Sequence, residues 1–120
     1  NADGFKSIRK QLKYIHEKLH QELHIVFGMV SDKDISSVLE LLPKDATYYF
    51  TKASVKRAMP EDELMKMASE AGLKGTSYPT VVDAVRAAKE NCLPKDFIFV
   101  GGSSFIVADL LANRDTLNLH

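Results

Sequence analysis

The sequence has few of the residues that define several large classes of protein. Of its 120 residues one, Cys92, is a cysteine, and none is a tryptophan. A single cysteine cannot form an internal disulfide, which excludes a disulfide-stabilised secreted domain and favours a cytoplasmic protein. No apolar run approaches the roughly 20 residues that a membrane-spanning helix needs, so we expect no contact with a membrane.

An excess of charge of one sign is also absent. Sixteen lysine and arginine residues balance sixteen aspartate and glutamate residues, and the formal net charge at pH 7 is +0. Without a basic field, the chain has no general attraction for nucleic acid or for an anionic membrane surface. A function that depends on charge must therefore use a local group of side chains.

Metal ligands at characteristic spacing are equally scarce. His16, His20 and His24 recur every four residues, a spacing that would place them on one face of a helix. The apolar residues around His24 indicate, however, that a strand has already begun there. Cys92 has no metal-ligand partner nearby in the sequence, and we interpret its thiol as buried or inert. The sequence therefore predicts no metal site.

Patterns typical of strands and helices alternate along the chain, which has the length of a single domain. Such alternation indicates an α/β protein with a doubly wound, mostly parallel sheet and helices on both faces. Apolar periodicity predicts helices over about 4–19, 35–42, 59–73, 78–92 and 104–111, and strands over about 23–29, 46–52, 74–77 and 96–100.

Polar residues follow three of the predicted strands at their carboxyl ends. Ser31-Asp32-Lys33-Asp34 follows the first strand, Thr51-Lys52 stands at the end of the second with Arg57 in the loop beyond, and Gly101-Gly102-Ser103-Ser104 follows the last. In an open parallel sheet, ligands bind beyond these ends of the strands. Each group also has a purely structural interpretation. The aspartates suit a helix N-cap, the cations suit a solvated loop, and the glycines suit a tight strand-to-helix turn.

Taken together, these side chains suit a small zwitterionic ligand. Lysine and arginine bind carboxylates, aspartates hold an ammonium group, and a helix N-terminus accepts an anion. The P-loop pattern G-x-x-x-x-G-K-[S/T] is absent, and GGSSF does not match the nucleophile pattern G-x-S-x-G. The sequence thus predicts a ligand-binding rim with no catalytic residue. The predicted rim consists of Asp32, Lys33, Asp34, Lys52, Arg57 and Ser103.

Three segments of the chain have a distinctive order and spacing. VFGMVSDKDISSVLELL, YYFTKASVKRAMPEDEL and FIFVGGSSFIVADLL together resemble the C-terminal domain of the folylpolyglutamate synthase/dihydrofolate synthase family, which is related to the Mur ligases. The resemblance implies a Rossmann-like fold of the Mur ligase C-terminal type. It also implies that residues 1–120 are the C-terminal, glutamate-ligase domain of a larger ATP-dependent ligase.

Enzymes of this family add L-glutamate to folate or dihydropteroate through an acyl-phosphate intermediate. The resemblance therefore implies that the full-length enzyme uses ATP and Mg²⁺, held mainly by the N-terminal and central ATPase domains of the same chain. The C-terminal domain would close over the ATP site and contribute to glutamate binding. We expect the isolated fragment to be inactive and to bind neither ATP nor Mg²⁺ tightly.

The resemblance also implies roles for individual side chains. Lys33 and Arg57 would contact glutamate or phosphate, Asp32 would orient Lys33 or the amine, and Ser103 would donate a hydrogen bond to glutamate. Arg57 falls where Mur ligases have the arginine of an Asp-Asn-Pro-Arg motif. The proline of that motif is replaced by Lys56, so the loop lacks one source of rigidity.

Other interpretations stay open on the residues alone. One is a Mur-type ligase domain that adds a different amino acid. Another is a stand-alone, non-enzymatic doubly wound module, such as a binding domain or a phospho-acceptor receiver. A receiver needs an acceptor aspartate at the end of a central strand, and TYYFTK supplies none. Within the folate family, dihydrofolate synthase and polyglutamate-extending activity are equally compatible with the sequence.

Overall fold

The structure is a computed structural model that describes residues 10–11, 22–31, 34–94 and 96–117. Residues 10 and 11 are helical, while the rest of the helix predicted over 4–19 lies outside the described residues. Each helix in the described ranges is too short or too polar to cross a bilayer. Strands and helices alternate as predicted. They are β1 (Leu23–Gly28), α1 (Ile35–Leu41), β2 (Ala46–Phe50), α2 (Glu61–Glu70), β3 (Lys74–Ser77), α3 (Val81–Asn91), β4 (Phe97–Gly102) and α4 (Ser104–Ala112).

The four described strands form one sheet in the order β3-β2-β1-β4, in which all neighbouring strands are parallel. The chain winds outward from β1 through β2 to β3, and then crosses back to place β4 on the other side of β1. The direction of winding therefore reverses between β1 and β4. Such a reversal opens a crevice at the carboxyl ends of the two strands, where α/β sheets bind their ligands.

Helices cover both faces of the sheet, which gives the domain two hydrophobic cores. Phe27 of β1 belongs to the core that contains Leu39 of α1. Successive residues of a strand point to opposite faces, and Val26 accordingly belongs to the other core, with Val85 of α3 and Ile106 of α4. All six residues of β1 are buried, including His24, as expected for an inner strand that is covered on both faces. This arrangement confirms the predicted doubly wound α/β fold.

Capping side chains set where two of the helices begin. The Asp34 carboxylate precedes α1 and accepts hydrogen bonds from the backbone N–H of Ser37 at 3.4 Å and from its hydroxyl at 2.7 Å. Thr80 precedes α3, and its Oγ1 accepts a hydrogen bond from the backbone N–H of Asp83 at 3.1 Å. A side-chain cap of this kind stabilises a helix by about 0.5–2 kcal/mol.

Candidate ligand-binding site

The segments that follow β1, β2 and β4 meet at one edge of the sheet. The backbone N–H of Thr51, just after β2, donates a hydrogen bond to the carbonyl of Phe27 at 2.9 Å. The backbone N–H of Ser103, directly after β4, donates to the carbonyl of Gly28 at 2.9 Å. The structure therefore brings together the three segments from which the sequence predicts a rim.

Two glycines allow this close approach. Gly102 has a φ of +108°, and a Cβ atom at this position would collide with the carbonyl oxygen of Gly28. A Cβ atom on Gly28 would in turn meet the carbonyl oxygen of Thr51 and the side chain of Ile106 in α4. Gly28 is thus the point where β1, the end of β2 and α4 contact one another, and a larger residue does not fit there.

The loop between β2 and α2 is anchored to the segment that follows β1. The backbone N–H of Met59 donates to the carbonyl of Met29 at 2.8 Å, and the backbone N–H of Ser31 donates to the carbonyl of Arg57 at 2.8 Å. Val30 and Ala58 form an isolated antiparallel bridge between these two hydrogen bonds. The backbone of Arg57 is therefore held beside the first of the three segments.

Helix α4 holds the same loop from another side. The Asp109 carboxylate accepts one hydrogen bond from the backbone N–H of Ser54 at 2.8 Å and another from its hydroxyl at 2.9 Å. The guanidinium carbon of Arg57 lies 5.3 Å from the centroid of the Phe105 ring, within the range of a cation–π interaction. These contacts hold the loop against α4.

The structure places three of the predicted rim residues at this edge. Lys52 and Arg57 are exposed on the loop after β2, and Ser103 is partly buried immediately before α4. Ser103 occupies the N-cap position of α4, yet its side chain makes no capping hydrogen bond. Two exposed cations and a hydroxyl that does not cap its helix form a combination suited to an anionic group.

The other three predicted residues follow β1. The Asp34 carboxylate caps α1 through its two hydrogen bonds to Ser37, which is the structural role that the sequence left open. Asp32 and Lys33 lie outside the described residues. The roles of all six rim residues toward a ligand stay predictions.

A side chain outside the predicted rim also lies at this edge. The Thr51 hydroxyl is fully buried at the end of β2 and has no hydrogen-bond partner among the described residues. A buried hydroxyl without a partner costs on the order of 1–3 kcal/mol. Its position directly after a strand is the one sequence signal that could have singled it out. We therefore add Thr51 to the candidate site as a buried hydroxyl that no described residue hydrogen-bonds.

The described carboxylates at this edge do not form a magnesium site. Asp34, Asp62 and Asp109 each accept a hydrogen bond from a serine of the domain itself. Among the described residues, no three acidic, histidine or cysteine side chains converge here. Mg²⁺ requires a near-octahedral set of oxygen ligands at about 2.0–2.1 Å. The described residues at this edge do not provide such a set.

A second polar cluster lies at the opposite end of the sheet, where β1 and β4 begin. Nδ1 of the buried His24 lies 2.9 Å from Tyr49 Oη, and Nε2 lies 3.2 Å from Asp96 Oδ2. The backbone N–H of Leu93 donates to the same Oδ2 at 2.9 Å. This N–H, together with His24, holds the pKa of Asp96 below its usual range. Sequence reasoning missed the cluster because its members come together through the pairing of β1 with both β4 and β2.

Comparison with known families identifies the kind of domain. Residues 1–104 match the family model of the Mur ligase, glutamate ligase domain. The match covers well over half of the chain, and the chain belongs to this family. The resemblance carried by the three segments is thereby confirmed.

Similar proteins are known at the level of sequence and of structure. The dihydrofolate synthase/folylpolyglutamate synthase of Buchnera aphidicola is 27% identical over 108 residues, which cover 85% of this chain and 25% of that protein. The structure of E. coli FolC in complex with DHPP and ADP matches with a TM-score of 0.84 at 23% identity, covering 98% of this chain and 27% of the FolC chain.

A further solved structure shows the same fold. The bifunctional folylpolyglutamate synthase/dihydrofolate synthase of Yersinia pestis, complexed with AMPPNP and an Mn ion, matches with a TM-score of 0.76 at 22% identity. The match covers 99% of this chain and 27% of that enzyme. The chain thus spans about a quarter of the length of these relatives.

Proposed function

We propose that this chain is the C-terminal, glutamate-ligase domain of a larger ATP-dependent ligase that adds L-glutamate to folate or dihydropteroate. Membership of the Mur ligase, glutamate ligase domain family supports the proposal. The relatives named above are dihydrofolate and folylpolyglutamate synthases, and the chain spans about a quarter of their length. That proportion agrees with one domain of a longer enzyme.

The observation that carries the proposal is the position of Arg57 at the edge where the sheet reverses its winding. Its backbone carbonyl accepts a hydrogen bond from Ser31, and its guanidinium lies over the Phe105 ring. A guanidinium binds a carboxylate through two parallel hydrogen bonds. Because the loop is already ordered, binding costs less conformational entropy than it would in a flexible loop.

The remaining rim residues would complete a site for an amino acid. The ammonium group of Lys52 adds a second positive charge, which suits glutamate because that substrate carries two carboxylates. The Ser103 hydroxyl would donate a hydrogen bond to glutamate from its place at the start of α4. Lys33 would contact glutamate or phosphate, and Asp32 would orient Lys33 or the glutamate amine. Asp34 borders the rim, and its carboxylate caps α1.

The domain's share in the reaction is to position glutamate. The glutamate amine attacks the carbonyl carbon of an acyl phosphate made from the folate carboxylate and ATP, and phosphate leaves as the amide bond forms. A fixed rim orients the amine, and closure of the domain excludes water that would hydrolyse the acyl phosphate. We assign no proton-transfer role to any rim side chain.

ATP and Mg²⁺ would be held mainly by the N-terminal and central ATPase domains of the parent enzyme. This chain contains no P-loop pattern, and its described carboxylates do not converge on a metal at this edge. The E. coli and Yersinia pestis structures contain ADP, and AMPPNP with Mn, respectively. Bound Mg²⁺ would neutralise phosphate charge in those domains.

A glutamylation assay tests the proposal. The full-length parent ligase and the 120-residue chain are each given ATP, Mg²⁺ and L-glutamate, with dihydropteroate or tetrahydrofolate as the acceptor. We expect turnover by the parent alone, and only with L-glutamate. Turnover by the isolated chain would overturn the assignment as a dependent domain, and ligation of another amino acid in place of glutamate would overturn the substrate assignment.

A further inference from the structure

The polar cluster at the amino end of the sheet is separate from the proposed glutamate site. His24 is the second residue of β1, and the rim begins beyond Gly28, which is about 13 Å further along at roughly 3.3 Å per residue. Cys92 directly follows α3, and Asp96 directly precedes β4. Parallel pairing of β1 with β4 brings the distant His24 to Cys92 and Asp96.

Three side chains able to ligate a metal converge in this cluster. A ring nitrogen of His24, Sγ of Cys92 and a carboxylate oxygen of Asp96 all lie within 4.8 Å of one another. Tetrahedral zinc, with bonds of about 2.0–2.3 Å, holds its ligand atoms about 3.3–3.8 Å apart. A contraction of roughly 1 Å would therefore close the three atoms around one ion.

The Asp96 carboxylate has a buried oxygen without a full hydrogen bond. Its side chain is only 3% exposed. Oδ2 accepts a hydrogen bond from Leu93 and contacts His24, whereas Oδ1 is buried and accepts no hydrogen bond of standard geometry from a described residue. The backbone N–H of Glu22 is a further, weaker contact of the carboxylate. A buried carboxylate oxygen without a full hydrogen bond is costly. A cation beside Oδ1 would remove that cost.

The charges of the three groups suit a divalent cation. A divalent ion offsets the negative charges of one thiolate and one carboxylate. The imidazole of His24 offers a third donor atom without adding negative charge.

Tyr49 supplies the outer hydrogen bond that metal-bound histidines usually have. Its hydroxyl lies 2.9 Å from Nδ1 of His24, while Nε2 faces Asp96. Coordination of a metal at Nε2 requires the tautomer whose Nδ1–H donates to the tyrosine oxygen, in place of the tautomer whose Nε2–H donates to Asp96. The backbone N–H of Leu93 orients the Asp96 carboxylate in the same way.

We propose that His24, Cys92 and Asp96 form a three-ligand site for Zn²⁺, with water in the fourth position. One nitrogen, one sulfur and one oxygen donor favour a borderline-soft ion over Mg²⁺ or Ca²⁺. The ion joins the connection between α3 and β4 to the start of β1. It therefore stabilises the fold at the end of the sheet opposite the rim.

Titration of the metal-free 120-residue chain tests this site. Zn²⁺ binding is followed by calorimetry, and Co²⁺ serves as a spectroscopic probe because a thiolate ligand gives it a charge-transfer absorption band. Cys92 is the single cysteine of the sequence, so the band reports on this site alone. We expect one ion per chain, release of a proton on binding, and a higher melting temperature with Zn²⁺.

Three variants sharpen the test. Cys92→Ser should abolish the Co²⁺ band and weaken Zn²⁺ binding at least about tenfold, and Asp96→Asn should weaken binding by a similar factor. Glu90→Gln is the matched control, because it removes an exposed carboxylate two residues before Cys92. It should change neither the Co²⁺ band nor the Zn²⁺ affinity. Circular dichroism checks that each variant is folded.

Two results would overturn the proposal. One is the absence of a thiolate band at saturating Co²⁺, and the other is a Zn²⁺ affinity that Cys92→Ser and Asp96→Asn both leave unchanged. The outcome is independent of the glutamate site, because none of these substitutions touches a rim residue.

Discussion

Asp109 accepts two hydrogen bonds from Ser54, one from the backbone N–H at 2.8 Å and one from the hydroxyl at 2.9 Å. Ser54 lies three residues before Arg57, and Asp109 lies one helical turn after Phe105, the ring beneath the Arg57 guanidinium. The loop after β2 and the helix after β4 are therefore held together. This relationship explains how an arginine on an exposed loop keeps a defined position.

Replacement of Asp109 should loosen that loop. We expect Asp109→Ala to lower the free energy of unfolding by about 1–3 kcal/mol, because it removes the acceptor of both hydrogen bonds. In the parent ligase it should also raise the KM for glutamate, since Arg57 loses its fixed position. Ser54→Ala, which removes one of the two bonds, should have a smaller effect. Denaturant unfolding and steady-state kinetics measure the two quantities.

The matched control for Asp109 is Asp115, an exposed aspartate beyond α4. Asp115→Ala removes the same charge from the same region and should leave both stability and the glutamate KM unchanged. Equal effects of Asp109→Ala and Asp115→Ala would show that stability and the glutamate KM depend on negative charge near α4 and not on the hydrogen bonds to Ser54.

Ser103 offers a way to separate binding from stability. A serine at an N-cap normally contributes about 0.5–2 kcal/mol through its side chain, but the Ser103 side chain makes no capping hydrogen bond. Ser103→Ala should therefore cost less than about 0.5 kcal/mol of stability, while it raises the glutamate KM of the parent ligase. Thr80→Ala, which removes a cap that does form, should cost about 1 kcal/mol. Equal losses of stability would contradict the structural difference between the two caps.

Gly102 should tolerate substitution worse than Gly72, although both have a positive φ, of +108° and +87° respectively. A Cβ atom on Gly72 would lie 3.7 Å from the Lys44 side chain, an ordinary contact, whereas on Gly102 it would collide with the Gly28 carbonyl. Both alanine variants carry a backbone strain of about 1–2 kcal/mol. The loss of unfolding free energy in Gly102→Ala should be larger than the loss in Gly72→Ala by at least about 1 kcal/mol. Similar losses would mean that β1 and β4 can separate at this point without cost.

Local sequence patterns predicted the elements of the fold but not the order of the strands. The apolar run of β1 indicates a strand that is buried on both faces, and β1 lies inside the sheet. The sequence KGTS of β3 has three exposed residues and lies at an edge. Apolar residues of both β2 and β4 could pair with β1 on either side, so hydrophobicity alone did not distinguish the possible orders.

The general position of the site was predictable, while its internal contacts were not. Parallel strands place their carboxyl ends at one edge, so Lys52, Arg57 and Ser103 could be assigned to a common rim without knowledge of the strand order. The contact between Ser54 and Asp109 joins residues 55 positions apart. Contacts of that kind depend on how a particular loop packs against a particular helix, and no spacing in the sequence indicates them.

Kinetic analysis of Arg57→Ala in the full-length parent ligase is the best test of the role of this edge in glutamate binding. A lost charge-assisted contact costs about 1.5–3 kcal/mol, which corresponds to roughly a tenfold to hundredfold loss of affinity. The KM of Arg57→Lys for glutamate should lie between the values of the wild-type enzyme and Arg57→Ala, because lysine keeps the charge and loses the paired hydrogen bonds. Arg86→Ala, which removes an exposed arginine from α3, is the control. It should change neither the KM for glutamate nor the KM for ATP.

The decisive quantity is the KM for L-glutamate in Arg57→Ala relative to the KM for ATP. We predict a rise of at least about tenfold in the glutamate constant and a change of less than about twofold in the ATP constant. An unchanged glutamate constant in a folded, active enzyme would contradict the assignment of Arg57, and of this edge of the sheet, to glutamate binding.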